Sequence, residues 1–145
     1  MEILVDTSGW IAWRWEKDAR HGEAERVFDE WNARGARWVT TSCIMFELCG
    51  GQGRRPEMRR EAVAALYDDI RSNPRVEVVH VDRQTQERAF DTYFKPYRDK
   101  TFSLVDCKSF CVMKQRGISH VVTTDDHFRQ VNLGLQLLLE PEHDA

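Results

Sequence analysis

No apolar stretch in this 145-residue chain approaches the roughly 18 residues that cross a bilayer, so a membrane protein is not expected. The first residues lack the basic-then-apolar layout of a signal peptide, because Asp6 comes too early and Arg14 and Lys17 too late; a cytoplasmic protein is expected. The four cysteines, Cys43, Cys49, Cys107 and Cys111, form no Cys-x-x-Cys pair. Zinc spacing is therefore missing, and free thiols buried inside apolar runs are expected. There is no excess of positive charge: the formal net charge is −3, which excludes a freely basic nucleic-acid binder. Internal repeats and low-complexity segments are also missing. Gly50-Gly51-Gln52-Gly53 lacks the Gly-Lys-Ser/Thr of a phosphate-cradling loop and follows an acidic helix, so it reads as a connection. The length suits one domain over residues 1–145, with no room for a second.

What is present is a set of carboxylates, each placed where an apolar run ends. They are Asp6 after Ile3-Leu4-Val5, Glu47 within Ile44-Met45-Phe46-Glu47-Leu48, Asp106 after Leu104-Val105, and Asp125 after Val121-Val122-Thr123-Thr124. Two carboxylates about 5 Å apart repel by roughly 3 kcal/mol at an effective dielectric near 20. A chain that gathers four is expected to hold divalent cations with them, and that points to metal-dependent chemistry on phosphate. One or two such ions would bring the charge seen by a polyanion to about −1 to +1, so the acidic sum does not exclude a nucleic-acid substrate.

Periodicity places these acids. Strands are expected over Met1–Asp6, Trp38–Thr41, Val76–Val81, Ser119–Thr124 and Leu135–Leu139. Helices are expected over Trp10–Trp15, Gly22–Arg34, from an N-cap at Ser42 through Glu47, and over Glu57–Ile70, Thr85–Tyr93 and Ser103–Gln115. Gly35 and Gly117 are expected to close two of them, and Gly50 to Pro56 to form a break. This alternation predicts an α/β fold with a mostly parallel sheet of about five strands and helices on both faces. Ligands in such sheets bind beyond the carboxyl ends of the strands, where all four acids can converge.

Each acid also has a plainer reading. Asp6 suits a turn or a helix cap. Glu47 suits an exposed helix position unless Phe46 and Leu48 are core. Asp106 completes a capping box with Ser103. Asp126 competes with Asp125. Arg54, Arg55, Arg59 and Arg60 form a basic patch that suits either a phosphate backbone or a solvated face. His127 suits a metal, a phosphate or a structural role. Trp10, Trp13 and Trp15 read as core and interface residues.

Taken together, four stretches resemble a known family. They are Asp6-Thr7-Ser8, Glu47, the run from Asp99-Lys100 through Phe102-Ser103-Leu104, Asp106-Cys107 and Ser109-Phe110, and Thr123-Thr124-Asp125 with His127-Phe128. The chain resembles the PIN-domain ribonucleases, and among them the VapC-type toxins of prokaryotic toxin–antitoxin pairs, over essentially its whole length. The resemblance implies a three-layer α/β/α fold and an Mg²⁺- or Mn²⁺-dependent endoribonuclease. Its metal-binding set would be Asp6, Glu47, Asp106 and Asp125, with Ser8 and Thr124 as hydroxyls that hydrogen-bond to the acids. RNA cleavage would leave 5′-phosphate and 3′-hydroxyl ends, with Arg54 and Arg55 as candidate RNA contacts. It also implies a homodimer and a small antitoxin protein whose C-terminal segment docks in the groove, with Trp13 and Trp15 as candidate contacts. Two features depart from the pattern: Asp126 beside Asp125, and Val131-Asn132-Leu133-Gly134 where an Ala-Gly-Phe-like stretch is frequent. Two alternatives stay open, a PIN-fold RNA- or protein-binding module without catalysis and an RNA-processing nuclease without an antitoxin. A phosphohydrolase of the haloacid-dehalogenase type is disfavoured, because Ser8 stands where that chemistry needs a second Asp.

Overall fold

The computed structural model describes residues 1–50 and 57–140. In chain order its elements are β1 (Glu2–Val5), α1 (Thr7–Arg14), α2 (His21–Ala33), β2 (Arg37–Thr41), α3 (Ser42–Gly50), α4 (Arg60–Ser72), β3 (Val76–Val79) and α5 (Arg83–Ala89). A π-helical turn over Phe90–Phe94 follows, then α6 (Leu104–Arg116), β4 (His120–Val122), α7 (His127–Gln130) and β5 (Gln136–Leu137). The strands form one five-stranded sheet in the order β3-β2-β1-β4-β5, every pair parallel, as an α/β reading requires.

That order fixes the layers. The chain steps outward from β1 through β2 to β3, then returns across the sheet to β4 and β5. Right-handed crossovers therefore put α1–α4 on one face and α5–α7 on the other. The contacts agree: α1 packs on α2 and α3, α3 packs on α4, and α6 packs on α5 and α7. The central strands β1 and β4 are sealed from water between these layers, which explains the runs Ile3-Leu4-Val5 and Val121-Val122, each residue fully buried. On the first face Phe28 lies 4.3 Å from Trp38 between ring centroids and 5.7 Å from Trp10. On the second, Phe110 meets Phe102, Phe128 and Tyr93 edge-on at 5.1–5.7 Å. Among the described residues no helix is long and apolar enough to cross a membrane.

The elements depart from the sequence expectations in several places. Helix α1 begins at Thr7 rather than Trp10. The hydroxyl that caps α3 belongs to Thr41, which accepts from the Ile44 amide at 3.1 Å, and Ser42 is already the first helical residue. The predicted helix over Thr85–Tyr93 is α5 followed by the wider π turn, where the Lys95 amide reaches back to the Phe90 carbonyl. Its cap is Asp82, which accepts from the Thr85 amide. The predicted third, fourth and fifth strands pair over fewer residues, and the short α7 has no periodicity long enough to read. Phe46 is 76% exposed, so Glu47 has Leu48 but not Phe46 as a core neighbour. Only Cys107 and Cys111 are buried: Cys43 is half-buried and Cys49 exposed, because α3 turns that face outward. The break between Gly50 and Pro56, with Arg54 and Arg55, lies outside the described residues apart from Gly50.

Candidate metal centre and the family of the chain

The strand order reverses at β1, whose neighbours are β2 on one side and β4 on the other. In open parallel sheets the crevice for ligands opens beyond the carboxyl ends of the strands at such a switch point. Asp6 follows β1 and Asp125 follows β4, so two of the four acids sit at this crevice by topology alone.

Close approach of α1 to β4 brings them together. A Cβ built on Gly9 would lie 2.2 Å from the Val122 carbonyl oxygen, so the helix can seat here only with a bare backbone. The Asp6 amide donates to that same carbonyl at 3.1 Å. Asp6 occupies the N-cap position of α1, yet its side chain caps nothing. Its carboxylate, 5% exposed, instead accepts from the Thr123 hydroxyl at 3.1 Å. Burial pushes the Asp6 carboxyl well above the ordinary range, and the charges of Asp106, Asp125 and Glu47 push the same way.

Glu47 enters from α3. Its Oε1 accepts from the Thr7 hydroxyl at 2.8 Å. Burial raises its pKa against the opposing effect of that hydrogen bond, and the charges of Asp106 and Asp125 raise it further. Asp106 comes from the first turn of α6, where it caps the helix and also faces His127. Its Oδ2 accepts from the Ser103 amide at 3.0 Å and its amide donates to the Ser103 hydroxyl at 3.1 Å, closing the capping box. The same Oδ2 lies 2.9 Å from His127 Nδ1.

Asp125 Oδ1 accepts from the His127 amide at 2.9 Å and lies 3.2 Å from His127 Nδ1. Burial and the Asp106 charge raise the Asp125 pKa, whereas His127 lowers it. Asp126 turns away, accepting from Gln130 at 3.0 Å with Arg129 at 3.9 Å. His127 is thus the one basic group among these acids in the described region. Its bond to Asp106 raises its pKa most, and its Nε2 meets the Thr101 hydroxyl at 2.8 Å.

Sequence adjacency misassigned the hydroxyls by one position. Past the end of β4 the chain turns, and the Thr123 hydroxyl accepts from the Asp125 amide two residues on at 3.0 Å. Thr124 contributes its amide, which donates to Ser8 Oγ at 3.0 Å. Ser8 touches Thr123 at 3.2 Å rather than an acid, and Thr7 holds Glu47. Of the three readings open for His127, the structure shows it bridging Asp106 and Asp125 through Nδ1.

Asp106, Asp125 and His127 each offer a ligand atom within 4.8 Å of the others. Asp6 and Glu47 feel the charges of Asp106 and Asp125. Oxygen donors of net negative charge, several held uncomfortably in their ionised form, suit a hard divalent cation. Residues 3–133 match the PIN domain.

The chain belongs to the PIN-domain family. Over 126 residues this PIN domain is 32% identical to the 23S rRNA-specific endonuclease VapC20 of Mycobacterium tuberculosis, covering 87% of the chain and 91% of that protein. It is thus a homologue of the VapC-type endoribonuclease toxins. The crystal structure of VapC20, described as a sarcin-ricin loop cleaving toxin, superposes with a TM-score of 0.76 at 30% identity, over 90% of this chain and 95% of that one. VapBC2 of Rickettsia felis, bound to a DNA fragment from its promoter, shares the fold at a TM-score of 0.68 and 14% identity, over 94% and 97% of the two chains. FitAB bound to a DNA fragment does so at 0.63 and 14%, over the full length of both.

Proposed function

We propose that this PIN-domain protein is a metal-dependent endoribonuclease and the toxin of a type II toxin–antitoxin pair. The observation that carries the reading is the meeting of Asp106, Asp125 and His127 within 4.8 Å at the crevice between β1 and β4, with Asp6 and Glu47 close enough to feel the charges of Asp106 and Asp125. The 32% identity to an rRNA endonuclease supports the same chemistry.

On this reading the four carboxylates would hold Mg²⁺ or Mn²⁺, with His127 beside Asp106 and Asp125. Bound there, the cation would supply Lewis acidity toward a phosphate and acidify a water. The protein's part is to hold the donors. Thr123 fixes Asp6, Thr7 fixes Glu47, and the Ser103 cap fixes Asp106. Supporting bonds of this kind are worth about 10- to 100-fold in metal affinity or activity. No side chain acts as a covalent nucleophile, and water delivers 5′-phosphate and 3′-hydroxyl products. The partners are an RNA and a small antitoxin protein, the latter docking on α1 and α2 beside the half-buried Trp13 and Trp15.

The test is incubation of the purified protein with total RNA in Mg²⁺, in Mn²⁺ and in EDTA, followed by end mapping. Discrete fragments with 5′-phosphates that require metal support the reading. RNA that binds but stays intact in both metals would replace it with a non-catalytic module.

A further inference from the structure

A second recess adjoins the acids, and the endonuclease reading leaves it without a role. It encloses about 560 Å³ between the π-helical turn and the segment leading to α6. That size suits a ligand of one or two rings with its polar substituents. Two of its lining residues are exposed aromatics: Phe90 at 40% and Phe94 at 45%, stacked with centroids 5.5 Å apart and planes 21° from parallel. Side by side, the two rings offer one aromatic face to solvent. They are four residues apart on one helical face, in a π turn where the Lys95 amide donates to the Phe90 carbonyl at 2.9 Å. Such turns recur at functional sites.

The rim is cationic. Lys95 and Arg98 line the recess, and among the described residues neither forms an ion pair. Lys100, also on the rim, is matched by Asp99 at 3.3 Å. The recess is joined to the acid cluster by two consecutive residues. Thr101 meets His127 Nε2 at 2.8 Å, and Phe102 lies edge-on to the His127 ring at 5.4 Å. His127 in turn touches Asp106 and Asp125. A ligand in the recess would therefore lie beside the carboxylates.

We infer that this aromatic and basic recess binds a nucleotide of single-stranded RNA flanking the scissile phosphate, its base on the Phe90–Phe94 face and its backbone against Lys95 and Arg98. The inference rests on the endonuclease reading. A cluster of four carboxylates repels a polyanion, and the chain's net charge of −3 gives no general attraction, so local cations must hold the strand. Aromatic faces beside a cationic track are what single strands stack on, whatever their bases. A second copy of this chain fits less well. In a two-fold pairing of this face the partner would bring the same recess, and among the described residues no carboxylate lines it to meet Lys95 and Arg98.

The test uses the full chain and a fluorescein-labelled single-stranded RNA of mixed sequence, with binding read by anisotropy in EDTA and cleavage in Mn²⁺. Phe94→Ala is expected to weaken binding and raise KM roughly ten-fold or more, leaving kcat near the wild-type value. Phe94→Trp, which keeps a stacking surface, restores both. Arg98→Glu, at an exposed position, weakens binding as well. Unchanged binding and KM in Phe94→Ala and Arg98→Glu overturn the inference. Loss of self-association in sedimentation with RNA binding intact also overturns it and makes the recess a contact between copies. Absence of cleavage by the wild type, with binding that still depends on Phe94 and Arg98, defeats the endonuclease reading and leaves the recess as an RNA site. Absence of both binding and cleavage defeats both.

Discussion

The Thr123 hydroxyl donates to Asp6 Oδ2 at 3.1 Å and ties the end of β4 to the end of β1 across the point where the strand order reverses. The same oxygen accepts from the Asp125 amide at 3.0 Å and lies 3.2 Å from Ser8 Oγ, so one fully buried threonine sets the spacing of two acids. Replacing it with valine preserves the shape and removes every one of these bonds. Thr123→Val is expected to lower stability by about 1–3 kcal/mol through the unsatisfied partners. It is also expected to cut metal-dependent activity by roughly ten-fold or more through loss of donor alignment. Ser8→Ala, one bond further from the acids, should weaken activity less. Urea titration and initial rates on the same preparations check both; equal effects from the two variants would contradict the ordering.

Gly9 tests the seating of α1. A methyl at this position would lie 2.2 Å from the Val122 carbonyl oxygen, and a backbone atom cannot swing aside as a flexible side chain can. Gly9→Ala is therefore expected to destabilise the fold by roughly 3 kcal/mol and to spread Asp6 from Asp125. Gly22→Ala, which meets only the end of the Arg26 side chain at 3.5 Å, is the control and should be close to neutral or mildly stabilising. Thermal melts of the two variants separate them.

Much of this arrangement can be read from residues alone, and the parts that cannot have physical reasons. Apolar runs ended by Asp6 and Asp125 are legible because strands sealed on both faces must be continuously hydrophobic, and because a parallel sheet puts their carboxyl ends on one edge. The hydroxyl partners are not legible, since adjacency in the chain does not tell which hydroxyl of the first turn of α1, or of the turn after β4, faces an acid; Thr123 and Thr7 hold the positions expected for Thr124 and Ser8. Glu47 looks ambiguous for a similar reason: only packing shows Leu48 inside and Phe46 outside. Asp106 is read as either cap or site residue, yet a carboxylate has capacity for both, and the capping box itself orients it toward His127. The π turn that presents Phe90 and Phe94 is not legible, because a five-residue backbone spacing leaves no distinct hydrophobic period.

The pH dependence follows from the direction of the shifts. The Asp6, Glu47 and Asp125 carboxyls are raised, chiefly by burial, so the folded chain keeps protons that the unfolded chain releases above about pH 4. Stability of the metal-free protein therefore falls as pH rises from there through the raised values. His127, raised by Asp106, acts in the same direction: its contribution is complete below its ordinary value and is lost as pH rises through the folded one. Glu77 is lowered by its bond to Arg116, so its contribution is lost only as pH falls below the ordinary carboxylate range. Between pH 5 and 8 the metal-free protein is accordingly expected to melt at lower temperature as pH rises. Saturating Mn²⁺ should reverse that trend, because the ion binds the ionised carboxylates. Melting curves with EDTA and with Mn²⁺ that shift in parallel across this range would refute the assignment of these acids to a metal.

The most direct measurement is RNA cleavage by the wild type, Asp6→Asn and Asp106→Asn in Mg²⁺ and Mn²⁺, beside melting curves of the three proteins with and without metal. Asparagine keeps the volume and removes the charge. The account predicts that both variants lose activity by about 100-fold or more, as loss of several kcal/mol of metal and transition-state binding requires. It also predicts that metal no longer raises their melting temperatures, and that metal-free Asp6→Asn melts above the metal-free wild type at neutral pH, because a buried, repelled charge has gone. Wild-type rates and an undiminished metal-induced shift in both variants would contradict it.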